Sequence, residues 1–202
     1  MGTNAELLRA LYPPPKGDYR VRTLPTESLA KTSSNRLDFR NCRFSALTRV
    51  LIEDADFSNS SSMERGTGIT ISSSVIRRSL FDSSGPFSRL GGSFENCNFI
   101  KIRAKKSHVT GLFVSCTFES TDFSGAMFVG NFEDCTFSNC SLNVDAFTAG
   151  FKDCTFVDCT LPSWLGEDAS TLPAQRKTTF SVKSGKVYFN EYTKFHNEPS
   201  IV

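Results

Sequence analysis

Seven cysteines, two histidines and a group of carboxylates are the residues of this 202-residue chain whose types could do chemistry. The cysteines are periodic. Cys97, Cys116, Cys135 and Cys154 follow one another at 19 residues, as do Cys140 and Cys159. Structural zinc wants Cys-x-x-Cys pairs or Cys with His. No such pair occurs, and the only histidines are His108 and His196. A disulfide framework wants an even count and a secretory segment, whereas this count is odd and no signal-like apolar core opens the chain. At one period, six of the seven thiols read as small hydrophobes on inward columns, free and inert. Stacked neighbours would lie close enough to bridge, so spacing alone leaves a disulfide open. No metal and no cofactor is expected.

The carboxylates share the period. Asp134 and Asp153 fall in one outward column, Asn139 and Asp158 in another, with Glu119, Asp122 and Glu133 nearby. At about 5 Å two carboxylates repel by roughly 0.8 kcal/mol in water and about 3 at an effective dielectric of 20, a cost the chain tolerates. Two readings stand. One is a solvated face that keeps parallel strand edges soluble. The other is a negative face for a basic protein partner, with Glu119, Asp122, Glu133, Asp134, Asp153 and Asp158 as its candidate binding residues. Paired carboxylates also hydrolyse glycosides, but such enzymes on larger β-helices use a long groove with extended loops, and the loops here are short. No nucleophile elbow, phosphate loop or His-based constellation is present, so a non-catalytic protein is expected.

Charge is segregated along the chain. Residues 1–106 carry 17 Lys and Arg against 10 Asp and Glu, giving +7. Residues 107–168 carry 1 against 9, giving −8, and residues 169–202 carry 5 against 2, giving +3. The run Lys101-Ile-Arg-Ala-Lys-Lys106 could touch phosphate, but it is confined to one period with no aromatic interleaved, and direct nucleic-acid binding is not expected.

What must position these residues is the period itself. In rows of 19, Phe94, Phe113, Phe132 and Phe151 form one column and Phe99, Phe118, Phe137 and Phe156 a second. Phe123, Leu142 and Leu161 form a third, and Val109, Phe128 and Phe147 a fourth. A fixed short period marks stacked repeats, and 19 residues suit one β-coil rather than a helix pair. Large residues five apart imply four short faces per coil. A small inward residue stands two positions before each, as Gly92, Gly111, Gly130 and Ala149 stand before the first column. A narrow core needs that alternation, because a second large side chain would overpack it. Successive coils should stack about 4.8 Å apart as parallel strands.

Blocks such as Cys116-Thr-Phe-Glu-Ser, Thr121-Asp-Phe-Ser-Gly, Ala126-Met-Phe-Val-Gly and Cys135-Thr-Phe-Ser-Asn resemble pentapeptide repeats, closely over 92–161 and more loosely over 37–81. The resemblance implies an all-β, right-handed quadrilateral parallel β-helix, usually with 20 residues per coil, and a bacterial or phage origin. It implies further a protein-binding role. Members of that family bind DNA gyrase or topoisomerase IV by imitating duplex DNA, and others act as translocated effectors or as neutralising partners of toxins. The DNA-mimicking members are often paired through their C-terminal ends, which makes a homodimer one expectation. The alternative is a structural or effector scaffold that makes its contacts through its ends.

Around the coils the sequence divides into three. Residues 1–36 form an N-terminal helix and arm, with a capping box at Thr3-Asn4-Ala5-Glu6 and a stop at Pro13-Pro14-Pro15. Residues 37–166 form six to seven coils, closed by Trp164. The early coils align Phe39-Arg-Asn-Cys-Arg-Phe44, Ile52-Glu-Asp-Ala-Asp-Phe57 and Val75-Ile-Arg-Arg-Ser-Leu80 with Phe94-Glu-Asn-Cys-Asn-Phe99, but Phe39 to Ile52 is only 13 residues, which leaves Phe39 open to a different face. Ser58–Gly68 carries a four-residue insertion and Ser83–Gly92 is an irregular corner. Residues 167–202 hold a C-terminal hairpin cap, Thr179–Lys183 with Lys186–Asn190. No apolar run approaches the roughly 18 residues of a membrane span, so a soluble, cytoplasmic protein is expected.

Overall fold

A computed structural model describes residues 20–23, 29–142, 146–147, 149–160, 178–181, 194–195 and 199–201, the backbone alone being described at 22, 146–147 and beyond 160. The fold over these residues is all-β, a right-handed parallel solenoid of about six turns. Phe99 is paired in register with Phe118, Phe118 with Phe137 and Phe137 with Phe156. The first column pairs in the same way from Phe94 to Phe151. Each short strand turns one large residue inward and its two neighbours outward, as in Thr117–Glu119, so three residues suffice per face.

Stacking identical rings in register fills the core. The second face carries Phe39, Phe57, Phe81, Phe99, Phe118, Phe137 and Phe156, with successive centroids 4.6–5.0 Å apart. Burying each ring contributes about 1.5–3 kcal/mol. The small inward residues have a second task. Cys135 Sγ donates to the carbonyl oxygens of Glu133 and, one coil earlier, Phe113 at 3.3 and 3.5 Å. In the first-described coils Ser79 and Ser84 fill equivalent places, Ser84 Oγ donating to Phe57 O at 2.7 Å. A small donor therefore serves at these positions, be it thiol or hydroxyl. All seven cysteines are buried and free.

Corners are made by left-handed residues. Two positions after each large residue of the first face φ is positive, at Asp54, Arg78, Asn96, Ser115, Asp134 and Asp153. The second face is followed likewise by Asn41, Asn59, Ser83, Lys101, Ser120, Asn139 and Asp158. Asn and Asp enter this conformation most readily among residues with a side chain, because their short polar groups bond locally. The passage from the fourth face to the first is the short one, four residues from Val109 to Phe113 and from Phe128 to Phe132. Here the chain runs so close to its neighbour that a Cβ on Gly111 or Gly130 would meet the preceding coil's carbonyl oxygen at 2.5 Å. That is the physical origin of the 19-residue period.

In the first coils Ile52 and Phe57 take the first and second faces as aligned, while other residues shift. Phe39 belongs to the second face, stacked on Phe57, and Cys42 and Phe44 serve the third. Phe94 pairs with Ile76 and Phe99 with Phe81, one residue beyond the expected Val75 and Leu80. Ile52 pairs with Ile76, 24 residues on, so the insertion is five residues rather than four, and it lies at the corner between Ser62 and Ile69. The supposed irregular stretch 83–92 is mostly strand, Phe87–Glu95, after a cis Gly85–Pro86 peptide. These slips arise because coil length varies before residue 94, and a slip of one exchanges the inward and outward sides.

At the N-terminal end, Arg22–Thr23 pairs in parallel with Val50–Leu51 and extends the first face. The expected helix, Leu161 and Trp164 lie outside the described residues. So do 182–190, which would complete the expected hairpin. Thr178–Ser181 pairs in parallel with Thr155–Val157 on one side and Pro199–Ile201 on the other, continuing the second face.

Candidate binding face

The six acidic candidates fall into two groups. Asp134 and Asp153 stand one coil apart on the corner between the first and second faces, with φ of 53° and 54°. Asp158 stands on the next corner, below Asn139. Between the two corners runs the outer side of the second face. Thr117, Thr136 and Thr155 lie there in register, and Glu119, Ser138 and Val157 form the row beside them. The result is a flat strip of short side chains bounded by acidic corners. Ser115 Oγ donates to Asp134 Oδ2 at 3.0 Å. Among the described residues no cation pairs with Glu119, Asp134 or Asp158.

The other two are already neutralised. Glu133, on the first face, takes an ion pair from Lys152 one coil on. Earlier in the same column Arg77 pairs with Glu53 at 3.3 Å and with Glu95 at 3.0 Å, and Val114 separates Glu95 from Glu133. Asp122, on the third face, pairs with Lys105 at 2.9 Å and accepts the backbone N–H of Ser124 at 2.9 Å. Burial pushes its carboxyl up, and the bonds from Ser124 and Lys105 more than offset this, leaving it below the ordinary carboxylate value. Sequence spacing groups all six because it sees the coil and not the face.

The corner geometry also explains the acidic columns without a partner. Asp suits a left-handed corner, and Asn41, Asn59, Asn96 and Asn139 do the same work uncharged. Charge is therefore an addition to what the fold requires at Asp134, Asp153 and Asp158. Lysine is accepted too. Lys101 takes φ 49° at the same corner as Asp158, three coils earlier. The basic run is dispersed by the fold: Lys101 and Lys106 sit on corners, Lys105 is paired, and Arg103 donates to Gly85 O.

The stacked thiols divide by their mutual bonds. The hydrogen bond with Cys116, together with burial, holds the Cys97 thiol above its ordinary value, and bonds with Cys116 and Cys154 do the same for Cys135, while these bonds hold the Cys116 and Cys154 thiols below theirs. The raised thiols stay protonated at neutral pH and are poor nucleophiles. No group of three metal-ligating side chains occurs among the described residues. A cleft of about 490 Å³ at the N-terminal coils is lined by Lys31, Ser34, Asn35, Arg36, Leu37, Glu53 and Asp54. Within it Asp54 pairs with Arg78, Glu53 with Arg77, and Arg36 donates to the carbonyl oxygen of Arg78 at 2.6 Å. No helix among the described residues is long and apolar enough to cross a membrane. Compared with protein-family models, curated proteins and solved structures, the chain matches none of them.

Proposed function

We propose that this protein is a non-catalytic binding module of the pentapeptide-repeat type, which engages a basic protein surface through the outer side of its second face. The observation that carries the reading is the strip of threonines bounded by Asp134 and Asp153 on one corner and Asp158 on the next, with Glu119 between. Its short side chains cost little conformational entropy when covered. The carboxylates of Glu119, Asp134 and Asp158, which pair with no cation among the described residues, supply a field that steers a cationic partner. Glu133 and Asp122, being paired, take a minor part.

A topoisomerase-type target, for which the family resemblance speaks, would want a rod acidic along its whole length. The N-terminal coils here are basic, which favours a localised basic patch on a protein, such as a toxin, over a long duplex-binding groove. A cytoplasmic location accords with seven free thiols. The runner-up is a scaffold that makes its contacts through its ends, favoured by the strand Arg22–Thr23 laid along the first coil.

The test is a triple reversal, Asp134→Lys, Asp153→Lys and Asp158→Lys, which the corners admit because Lys101 and Lys106 already occupy such positions. The parent should capture its partner from a host lysate, capture should weaken with salt, and the variant should lose it while keeping its circular dichroism. Equal capture by parent and variant would return this face to mere solubility.

A further inference from the structure

The fourth face lies across the coil from the second, and its outer side carries no acid. Its strands turn Ile71, Leu90, Val109 and Phe128 inward, one per coil, and an outward column flanks them on either side. In the first of these columns Thr70, Arg89, His108 and Met127 follow one another in register. No carboxylate stands in either column between Thr70 and Val129. The geometry points to this face as a second docking surface, for an extended protein segment that is both acidic and apolar, distinct from the basic partner of the second face.

Two kinds of residue, remote from each other in the sequence, meet here. The first is cationic. Arg89 lies along the face beside Gly91, where a Cβ would stand 3.1 Å from Arg89 Nε, and Nε donates to Thr110 Oγ1 at 3.4 Å. That bond goes to a neutral hydroxyl and uses one of the five guanidinium donors, so the charge is left for a partner. Lys106 stands on the corner that leads into His108, and exposed Arg65 in the insertion that leads into Ile69, where Glu64 is the one acid. Among the described residues no carboxylate pairs with Arg65, Arg89 or Lys106. The second kind is apolar. Of the five large hydrophobic side chains exposed among the described residues, Leu112, Met127 and Val129 are three, at 45%, 41% and 43%. Met127 follows His108 in its column, Val129 flanks Phe128 on the other side, and Leu112 stands just past the short corner one coil earlier. Gly111 and Gly130, which make that corner, raise no side chain there.

The spacing selects the partner. Arg89 and Met127 are two coils apart, about 10 Å at the strand spacing. A ligand must bring anion and hydrocarbon that close together, as Asp or Glu with Leu, Ile or Val does in an extended chain, where alternate residues lie about 7 Å apart on one side. A single-stranded nucleic acid would stack its bases on aromatic side chains, and none is exposed on this face among the described residues. An anionic membrane takes up apolar side chains that stand proud of the surface, whereas these three are more than half covered. A peptide needs only to be laid flat across them, with its acids toward Arg65, Arg89 and Lys106.

The experiment is fluorescence anisotropy of a labelled peptide of repeated Glu-Glu-Leu-Leu, titrated with the full chain. When extended, that repeat presents acid and apolar residues in turn on each side. A dissociation constant on the order of 100 μM is expected for so small a contact. Repeats of Glu-Glu-Ser-Ser and of Gln-Gln-Leu-Leu should each bind at least about fivefold more weakly. The variants borrow residues that adjacent coils already carry at the same places: Arg89→Thr from Thr70, Met127→Ala from Ala146, and Val129→Thr from Thr110. Arg89→Thr should weaken binding about fivefold and flatten its dependence on salt. The double variant Met127→Ala with Val129→Thr should lose about as much and keep the salt dependence. Circular dichroism checks that each variant is folded. A parent that does not bind the peptide overturns the inference, and so do folded variants that bind as the parent does. Tighter binding of a single-stranded oligonucleotide or of phosphatidylserine vesicles than of the Glu-Glu-Leu-Leu peptide would reject a protein partner for this face. The outcome is separate from lysate capture by the second face, because no variant here alters that face.

Discussion

Replacing Gly130 by valine probes the closest approach between coils. A Cβ at this position stands 2.5 Å from the carbonyl oxygen and 3.2 Å from the nitrogen of Gly111, where ordinary contact begins near 3.4 Å. The obstacle is backbone, and it is held in place. Gly111 N–H donates to Leu90 O at 3.0 Å, and Gly111 O accepts from Asn131 N–H at 2.9 Å. Relief of the clash must stretch those bonds or part the coils. Overpacking of this kind costs about 1–3 kcal/mol, and the two further methyl groups of valine place it near 3. For a chain of this size each kcal/mol moves Tm by about 2–4 °C, so a fall of about 6–12 °C is expected. Alanine should be milder, because Ala149 takes the matching place one coil on. The comparison is Cys135→Ala, which forfeits only a thiol donating to Phe113 O and Glu133 O, a loss of about 1 kcal/mol. Thermal melts and urea titrations of the two variants decide the matter. If Cys135→Ala were the more harmful change, or if the valine variant melted within about 2 °C of the parent, the packing at this corner would have been misread.

Two further outcomes are expected. Thiol titration in denaturant without reductant should find all seven cysteines free, and a count of five or fewer would contradict a column of free thiols. Arg78 binds Asp54 through two hydrogen bonds of 2.9 and 2.8 Å, and this bonding holds the Asp54 carboxyl below its ordinary value. A depressed carboxylate pKa contributes stability that is present above the unfolded value of about 3.9 and is lost as pH falls through the folded one. Arg78→Asn keeps a corner-compatible residue, as Asn96 shows one coil on. It should lower Tm slightly at pH 7, the pair being half exposed, and not at all once Asp54 is protonated. An equal deficit at both pH values would assign the effect to the corner instead of the ion pair.

The regular coils were legible in the sequence because each position repeats its own environment. Phe99, Phe118 and Phe137 see the same neighbours at each turn, so one residue type satisfies all three and the period shows. The same logic made Cys97, Cys116, Cys135 and Cys154 readable as core, with no ligand needed to explain them. Where coil length changed, legibility ended. The face of Phe39 stayed open and Val75 was placed one residue away, since periodicity cannot count residues hidden in an insertion such as the one between Ser62 and Ile69.

The binding face shows the same division. Sequence alone determined that Asp134 lies over Asp153 and Asn139 over Asp158, because residues one period apart must stack in any solenoid of that period. Only the tertiary structure decided that Glu133 is paired with Lys152 and Asp122 with Lys105, that the remaining acids bound a strip of threonines, and that Lys101 shares a corner with Asp158. A period fixes what lies above what. Which side a residue faces depends on where the chain turns, and that is set by left-handed corners and close backbone approaches made between coils.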